Sequence, residues 1–337
     1  MKSIKILTAT FAFNLKKFLI VFVIFCFVIP STFAQSKREI RYLYSDYLKG
    51  LFCIEEGNLP EALENLKSAK SKDPDSLHIR LKIAFVLIRL DRLNEAEAIL
   101  REAKSIDPDN LDVSLSLIFV YSYRKKDKEL EQEYEYLLEK AHTQRPKDAN
   151  ISQYLAQFYF YKKKPKLAIA IYEKLLENNP NYVDAFFWLG YLYEETGRRA
   201  DAVKTWKEGL KVNPDYAPIL NSLGYIYVQK GINLDLAEEM LKKALEQEPD
   251  SGAYLDSLGW LYFKKRSFNV AEDYLIKAIS YTKDPEIYEH LGDLYREIND
   301  LEKSISYYKE GLLHFPANKN LKEKFQKYEE ENKISEE

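Results

Sequence analysis

The stretch VDAFFWLGYLYEETGRRADAVKTWKEGLKVNP, Val183–Pro214, reads as two short helices and a stop. Its first half carries Leu189-Gly190-Tyr191-Leu192-Tyr193. Gly197 marks a turn, and the second half carries Ala202, Trp206 and Gly209 before Pro214. The same pattern recurs on both sides of it. Pro74, Pro108, Pro146, Pro180, Pro214 and Pro249 are spaced 34, 38, 34, 34 and 35 apart. Downstream, Leu223-Gly224 with Tyr227 precedes Ala237 and Ala244. Leu258-Gly259 with Tyr262 precedes Ala271 and Ala278, and Leu291-Gly292 with Tyr295 precedes Ser304 and Gly311. A fixed period of this length is the mark of a stacked helix-pair array.

The residue types follow from sterics. Where antiparallel helices cross closely, only Gly, Ala or Ser fits at the contact. Leu, Tyr and Phe recur at i, i+3, i+4 and i+7 and form the apolar stripe. Proline lacks an N–H and clashes with a preceding carbonyl, so it ends the second helix. Asp73, Asp75, Asp107, Asp109, Asn179 and Asn181 flank the prolines and are expected to cap the helix that follows.

This pattern resembles the tetratricopeptide repeat family over about residues 43–317. Units begin near Leu43, Leu77, Leu111, Ala149, Val183, Ala217, Gly252 and Pro285. The resemblance implies an all-α, right-handed α-solenoid of about eight repeats, placed at 35–317. The third unit departs from the pattern: Ile118 replaces the small residue, and about four extra residues are expected near Arg124–Glu129. Beyond Pro316, Leu321, Phe325 and Tyr328 lie at i, i+4 and i+7. Residues 318–337 therefore read as a capping helix with a charged tail.

Residues 1–34 stand apart. They hold Lys2, Lys5, Lys16 and Lys17, no acid, and an apolar run from Phe18 to Ile29. The run suits a secretory signal peptide cleaved after Ala34, which places the chain in the periplasm or cell envelope. The alternative is a retained membrane anchor formed by residues 18–34. The formal charge of −3 becomes −7 without those four lysines. An acidic, exported chain does not suit nucleic acid, which is bound by net positive surface. Of the two cysteines, Cys53 would remain, at an apolar helix position where a small buried hydrophobe is expected.

In the resembled family the first helix of each unit lines a concave face. Position nine reads Leu51, Phe85, Phe119, Gln157, Tyr191, Tyr225 and Trp260, and Tyr47, Phe160, Phe187 and Phe263 lie nearby. Such rings offer large apolar area with a polar tip, as a peptide-binding groove requires. They could equally fill the seam between neighbouring units. Asn221 and Asp256 share position five and could hydrogen-bond an extended partner backbone. The family's carboxylate clamp, Lys and Asn at positions five and nine, is not matched. Tyr47 and Leu51 stand there in the first unit, and Leu81 and Phe85 in the second.

The turns inside the helix pairs are basic, notably Arg124, Lys125 and Lys126 and then Lys162, Lys163 and Lys164. Stacked on one edge they would form a ridge facing an anionic membrane or an acidic partner, or simply a solvated rim. There is no phosphate-cradling Gly loop, no Cys-x-x-Cys and no His-Glu-x-x-His, and the four histidines are scattered. The expectation is a scaffold without catalytic activity, cofactor or metal, binding a protein or peptide partner. The alternative is a membrane-apposed spacer or assembly factor held by the anchor and the ridge.

Overall fold

The computed structural model describes residues 45–336, and every regular element among them is an α-helix. The expectations for residues 1–34 lie outside the described residues. The described chain divides into two compact units, residues 45–164 and 165–336.

The N-terminal unit contains α1 (Ser45–Glu55), α2 (Leu59–Lys72), α3 (Leu77–Arg89), α4 (Leu93–Ile106), α5 (Leu111–Tyr123), α6 (Asp127–Gln144) and α7 (Ala149–Tyr161). The C-terminal unit contains α8 (Pro165–Asn178), α9 (Val183–Glu195), α10 (Arg199–Val212), α11 (Ala217–Lys230), α12 (Leu234–Gln247), α13 (Gly252–Lys264), α14 (Phe268–Tyr281), α15 (Pro285–Glu297), α16 (Leu301–His314) and α17 (Lys319–Glu336). Within each unit, successive helices pack on one another.

The helix pairs close on the small residues. A Cβ added at Gly190 would fall on the Trp206 indole, and one at Gly292 would fall on the Tyr308 ring. Glycine is what lets these pairs keep a large ring on the second helix. The intra-pair turns share one set of bonds, and the α11–α12 turn adds a residue, with Asn233 also left-handed. At α3–α4, Asp91 N–H donates to the Ile88 carbonyl and Arg92 N–H to the Leu87 carbonyl. These are the two bonds of a Schellman motif, with a left-handed residue just past the helix end. Gly57, Gly197 and Gly231 take that conformation freely; Asp91, Lys125, Lys163, Arg266 and Asn299 take it despite a side chain.

Capping differs in detail from expectation. The side chains that accept helix N–H groups after the proline turns are Ser76, Asn110 and Asp148, not the Asp or Asn beside the proline. Asp107 and Asn213 instead accept from the N–H two residues on, Asp109 and Asp215, and so shape the turn itself. The extra residues of the third unit also lie elsewhere. The turn at Lys125 has the standard form, and α6 has 18 residues where α2, α4, α10 and α12 have 14. The insertion is one added helical turn.

Tyrosines join one pair to the next. Tyr159, Tyr193, Tyr262 and Tyr295 donate to Glu139, Glu173, Glu238 and Glu272 on the preceding helix. At the C-terminal end, α17 lays buried Leu321 and Tyr328 on the last pair. Tyr328 stacks on Tyr308 with ring centroids 5.7 Å apart.

Candidate functional site

In the N-terminal unit the expected groove residues Tyr47, Leu51, Phe85, Phe119 and Phe160 are all half-buried. More open rings were missed. Tyr123 and Tyr161 are 63% and 66% exposed, and the Phe119 and Tyr123 rings meet at 4.6 Å. Both missed tyrosines occupy position thirteen of their units, one turn beyond position nine, and that spacing could have found them.

In the C-terminal unit the expected residues separate into two sets. Phe187 and Tyr191 are only 6% and 8% exposed. Trp188 meets both edge-on, 5.4 Å from Phe187 and 6.2 Å from Tyr191. They fill a seam and present no groove, because the Trp188 indole occupies the space beside them. Asp256 is corrected too. It is fully enclosed, with its carboxylate 2.9 Å from His290 Nδ1, so it cannot reach a partner backbone. Asn221 is half-buried, and its side-chain oxygen is enclosed without a hydrogen-bond partner among the described residues. Tyr225, Trp260 and Phe263 are half-buried and come together.

Tyr225 and Trp260 line a cleft of about 550 Å³, with Phe263 stacked behind the indole. Helices α11, α13 and α15 supply Tyr225, Trp260 and His290, and the start of α17 closes one side with Asn320. Trp260 stacks on Phe263 at 4.5 Å and on His290 at 4.0 Å, with the planes within 11° in each case. Lys264 places its ammonium 4.7 Å from the Trp260 ring. Among the described residues, no carboxylate forms an ion pair with Lys264 (the other basic lining residue, Arg199, is held by Glu194). The Tyr225 hydroxyl donates to Glu286. Burial, and then the Glu286 charge, push that hydroxyl far above the usual phenol range, so it remains a proton donor. Chemically the cleft offers an indole surface, a phenol, amides from Gln229 and Asn320, and one uncompensated ammonium.

The basic turns are charge-compensated. Arg124 and Lys126 both reach buried Glu97; Lys162 pairs with Glu131, and Lys164 with Glu135 at 2.6 Å. The acids come from the helix one repeat earlier, directly beside each turn. Lys125 and Lys163 remain exposed at the left-handed turn position. A wider depression between α4 and α6 is similarly self-satisfied: Lys104 bonds Ser114 and Glu133, both at 2.6 Å. Among the described residues, no three His, Cys, Asp or Glu side chains cluster as metal ligands. No described helix is long and apolar enough to cross a membrane.

Models of the tetratricopeptide repeat match residues 54–118, 153–182, 171–204, 189–252 and 285–313, together more than half of the sequence. The chain belongs to the tetratricopeptide repeat family. Repeats of this family are protein-interaction modules and are generally non-catalytic. No curated protein matches this tetratricopeptide repeat chain. Among solved structures it is similar to the APC/C hetero-tetramer Cut9–Hcn1, with 19% identity and a TM-score of 0.54 over 89% of this chain and 58% of that one. A tetratricopeptide repeat protein of Thermus thermophilus shares 20% identity over 53% of this chain and 98% of its own, with a TM-score of 0.47. One from Parabacteroides merdae shares 17% over 85% and 98%, with a TM-score of 0.46. At these identities the likeness is one of fold.

Proposed function

We propose that this protein is a non-enzymatic scaffold that holds a segment of a partner protein in the Trp260 cleft. The observation that carries this reading is the open side of that cleft. A partly exposed indole and an ammonium without an ion pair among the described residues face it, beside the amides of Gln229 and Asn320 and a phenol bonded to Glu286. Aromatic anchors ringed by polar groups are the usual makeup of a binding hot spot. The cell envelope is the proposed location, supported by the lysines and apolar run of residues 1–34. The ion pairs that neutralise Arg124, Lys126, Lys162 and Lys164 favour the cleft over the basic ridge as the place where a partner is held.

A photo-crosslinking residue at Gln229, on the cleft rim, should capture a defined partner that the same residue at Glu239, on α12, does not. Trp260→Ala should abolish the Gln229 adduct while helicity is retained. Equal adducts from both positions would remove the cleft from consideration. N-terminal sequencing of the mature product would separate cleavage after Ala34 from a retained anchor.

A further inference from the structure

The first helix pair leaves open a face that every later pair covers. After α1, the first helix of each pair packs on the second helix just before it. Position ten of that first helix is buried in every later repeat, from Val86 at 0% to Phe158 at 4%. In α1 position ten is Phe52, and it is 62% exposed; Leu48, one turn earlier, is 61% exposed. Position seven, aliphatic and buried from Ile83 to Leu291, is here the exposed Lys49. The C-terminal end is finished differently. There α17 buries Leu321 and Tyr328 and turns Lys319, Lys322, Glu323, Gln326 and Lys327 to solvent. A terminal element that faces only water has a polar outer side, as α17 does. On α1 that side carries a phenyl ring and a leucine.

Two observations say what covers this face. The first is length. A covering helix such as α2 takes 14 residues, and residues 73–76 link it to α3. With the proposed cleavage after Ala34, only residues 35–42 precede the first repeat at Leu43, too few to supply such a helix. The second is charge. Lys49 and Glu56 lie on one flank of Phe52, about one turn before it and one turn after it. The Glu56 N–H donates to the Phe52 carbonyl at 3.0 Å, so the helical path still holds there. Both side chains are exposed, and neither forms an ion pair among the described residues.

We propose that α1 is the contact surface of a homodimer, crossing α1 of a second copy antiparallel about a two-fold axis at Phe52. The two phenyl rings meet at the axis, with Leu48 of each copy beside them. A two-fold axis across antiparallel helices keeps each flank on its own side. Lys49 of each copy therefore meets Glu56 of the other, the self-complementary match that an isologous contact requires. The apolar centre is small, so the dimer is weak and concentration-dependent, in the micromolar range. The dimer is independent of the cleft reading, and either can fail alone.

Sedimentation equilibrium of the natively processed chain, from about 1 to 200 μM, tests this. The wild type should show a monomer–dimer equilibrium. Phe52→Glu, at an exposed position, should stay folded by circular dichroism and remain a monomer throughout. Lys49→Glu and Glu56→Lys should each weaken dimerisation about tenfold or more, because like charges then face each other twice per dimer. Mixed in equal amounts, these two variants should pair with one another, since every contact again joins opposite charges. A monomer at every concentration, a dimer that survives Phe52→Glu, or no pairing in the mixture would each overturn the proposal. If the wild type is a monomer, acrylamide quenching of the indole added by Phe52→Trp names the true occupant. A shielded indole would assign the face to the chain's own N-terminal residues, and an open one to a different protein.

Discussion

The Trp206 indole N–H donates to the Phe187 carbonyl at 3.1 Å, across a helix contact kept open by the missing side chain of Gly190. Backbone, ring and glycine form one unit here. Gly190→Ala should destabilise the protein by about 2–3 kcal/mol through overpacking and a strained or lost hydrogen bond. The neighbouring pair sets Gly224 against Leu241, a smaller side chain. Trp206→Leu in the Gly190→Ala background should therefore recover part of the loss. Chemical denaturation of the four-member cycle checks this, and strict additivity would contradict it.

The left-handed turn residues give a prediction of opposite sign. Lys125 and Lys163 have φ of +54° and +56° and are exposed. Replacing either by Gly removes Cβ strain and should stabilise by about 0.5–1 kcal/mol, net of the greater freedom of the unfolded chain. Gly57→Ala, at φ +79°, should cost about 1 kcal/mol. Melting curves that rank these variants in the reverse order would show that the turns are not under this strain.

Seam and cleft aromatics should respond differently to truncation. Tyr191→Ala empties a buried site and should cost about 3–4 kcal/mol of stability. Trp260 is partly open, so Trp260→Ala should cost less in unfolding free energy while abolishing crosslinking at Gln229. Comparable stability losses would place Trp260 in the structural set.

Acid should loosen the α12–α13 contact. Lys242, and then Lys265 and Tyr262, hold the Glu238 carboxyl down at about 2. Because its folded value is depressed, the stabilisation is complete above its ordinary value of 4.5 and fades as pH falls from there toward 2. Glu238→Gln should lower stability at neutral pH by about 0.5–1 kcal/mol and flatten the acid limb of the stability curve. An unchanged acid limb would assign that pH dependence to other carboxylates.

The helix-pair plan was legible in the sequence because its cause is local. Proline ends a helix, and Gly or Ala marks a close crossing, whatever lies far away in the chain. Cap assignments slipped by one position, from Asp109 to Asn110, since both residues are competent and only the turn geometry selects between them. Which rings face open space was less legible. Tyr191 and Tyr225 share position nine, yet Trp188 covers the first and the cleft opens beside the second. The role of Asp256 was hidden because it depends on a residue of the next unit. The only trace was the separation of Asp256 and His290 by 34 residues, one repeat length.

The lengthened α6 shows how such a chain can absorb insertions. Four residues turn a helix through only about 40° more than one full revolution, so the hydrophobic side still points inward afterwards. Two residues would swing it to nearly the opposite side. Growth in an array of this kind is thus quantised: additions near one revolution pass silently, and intermediate ones are selected against. The 18-residue α6 is an addition of that size.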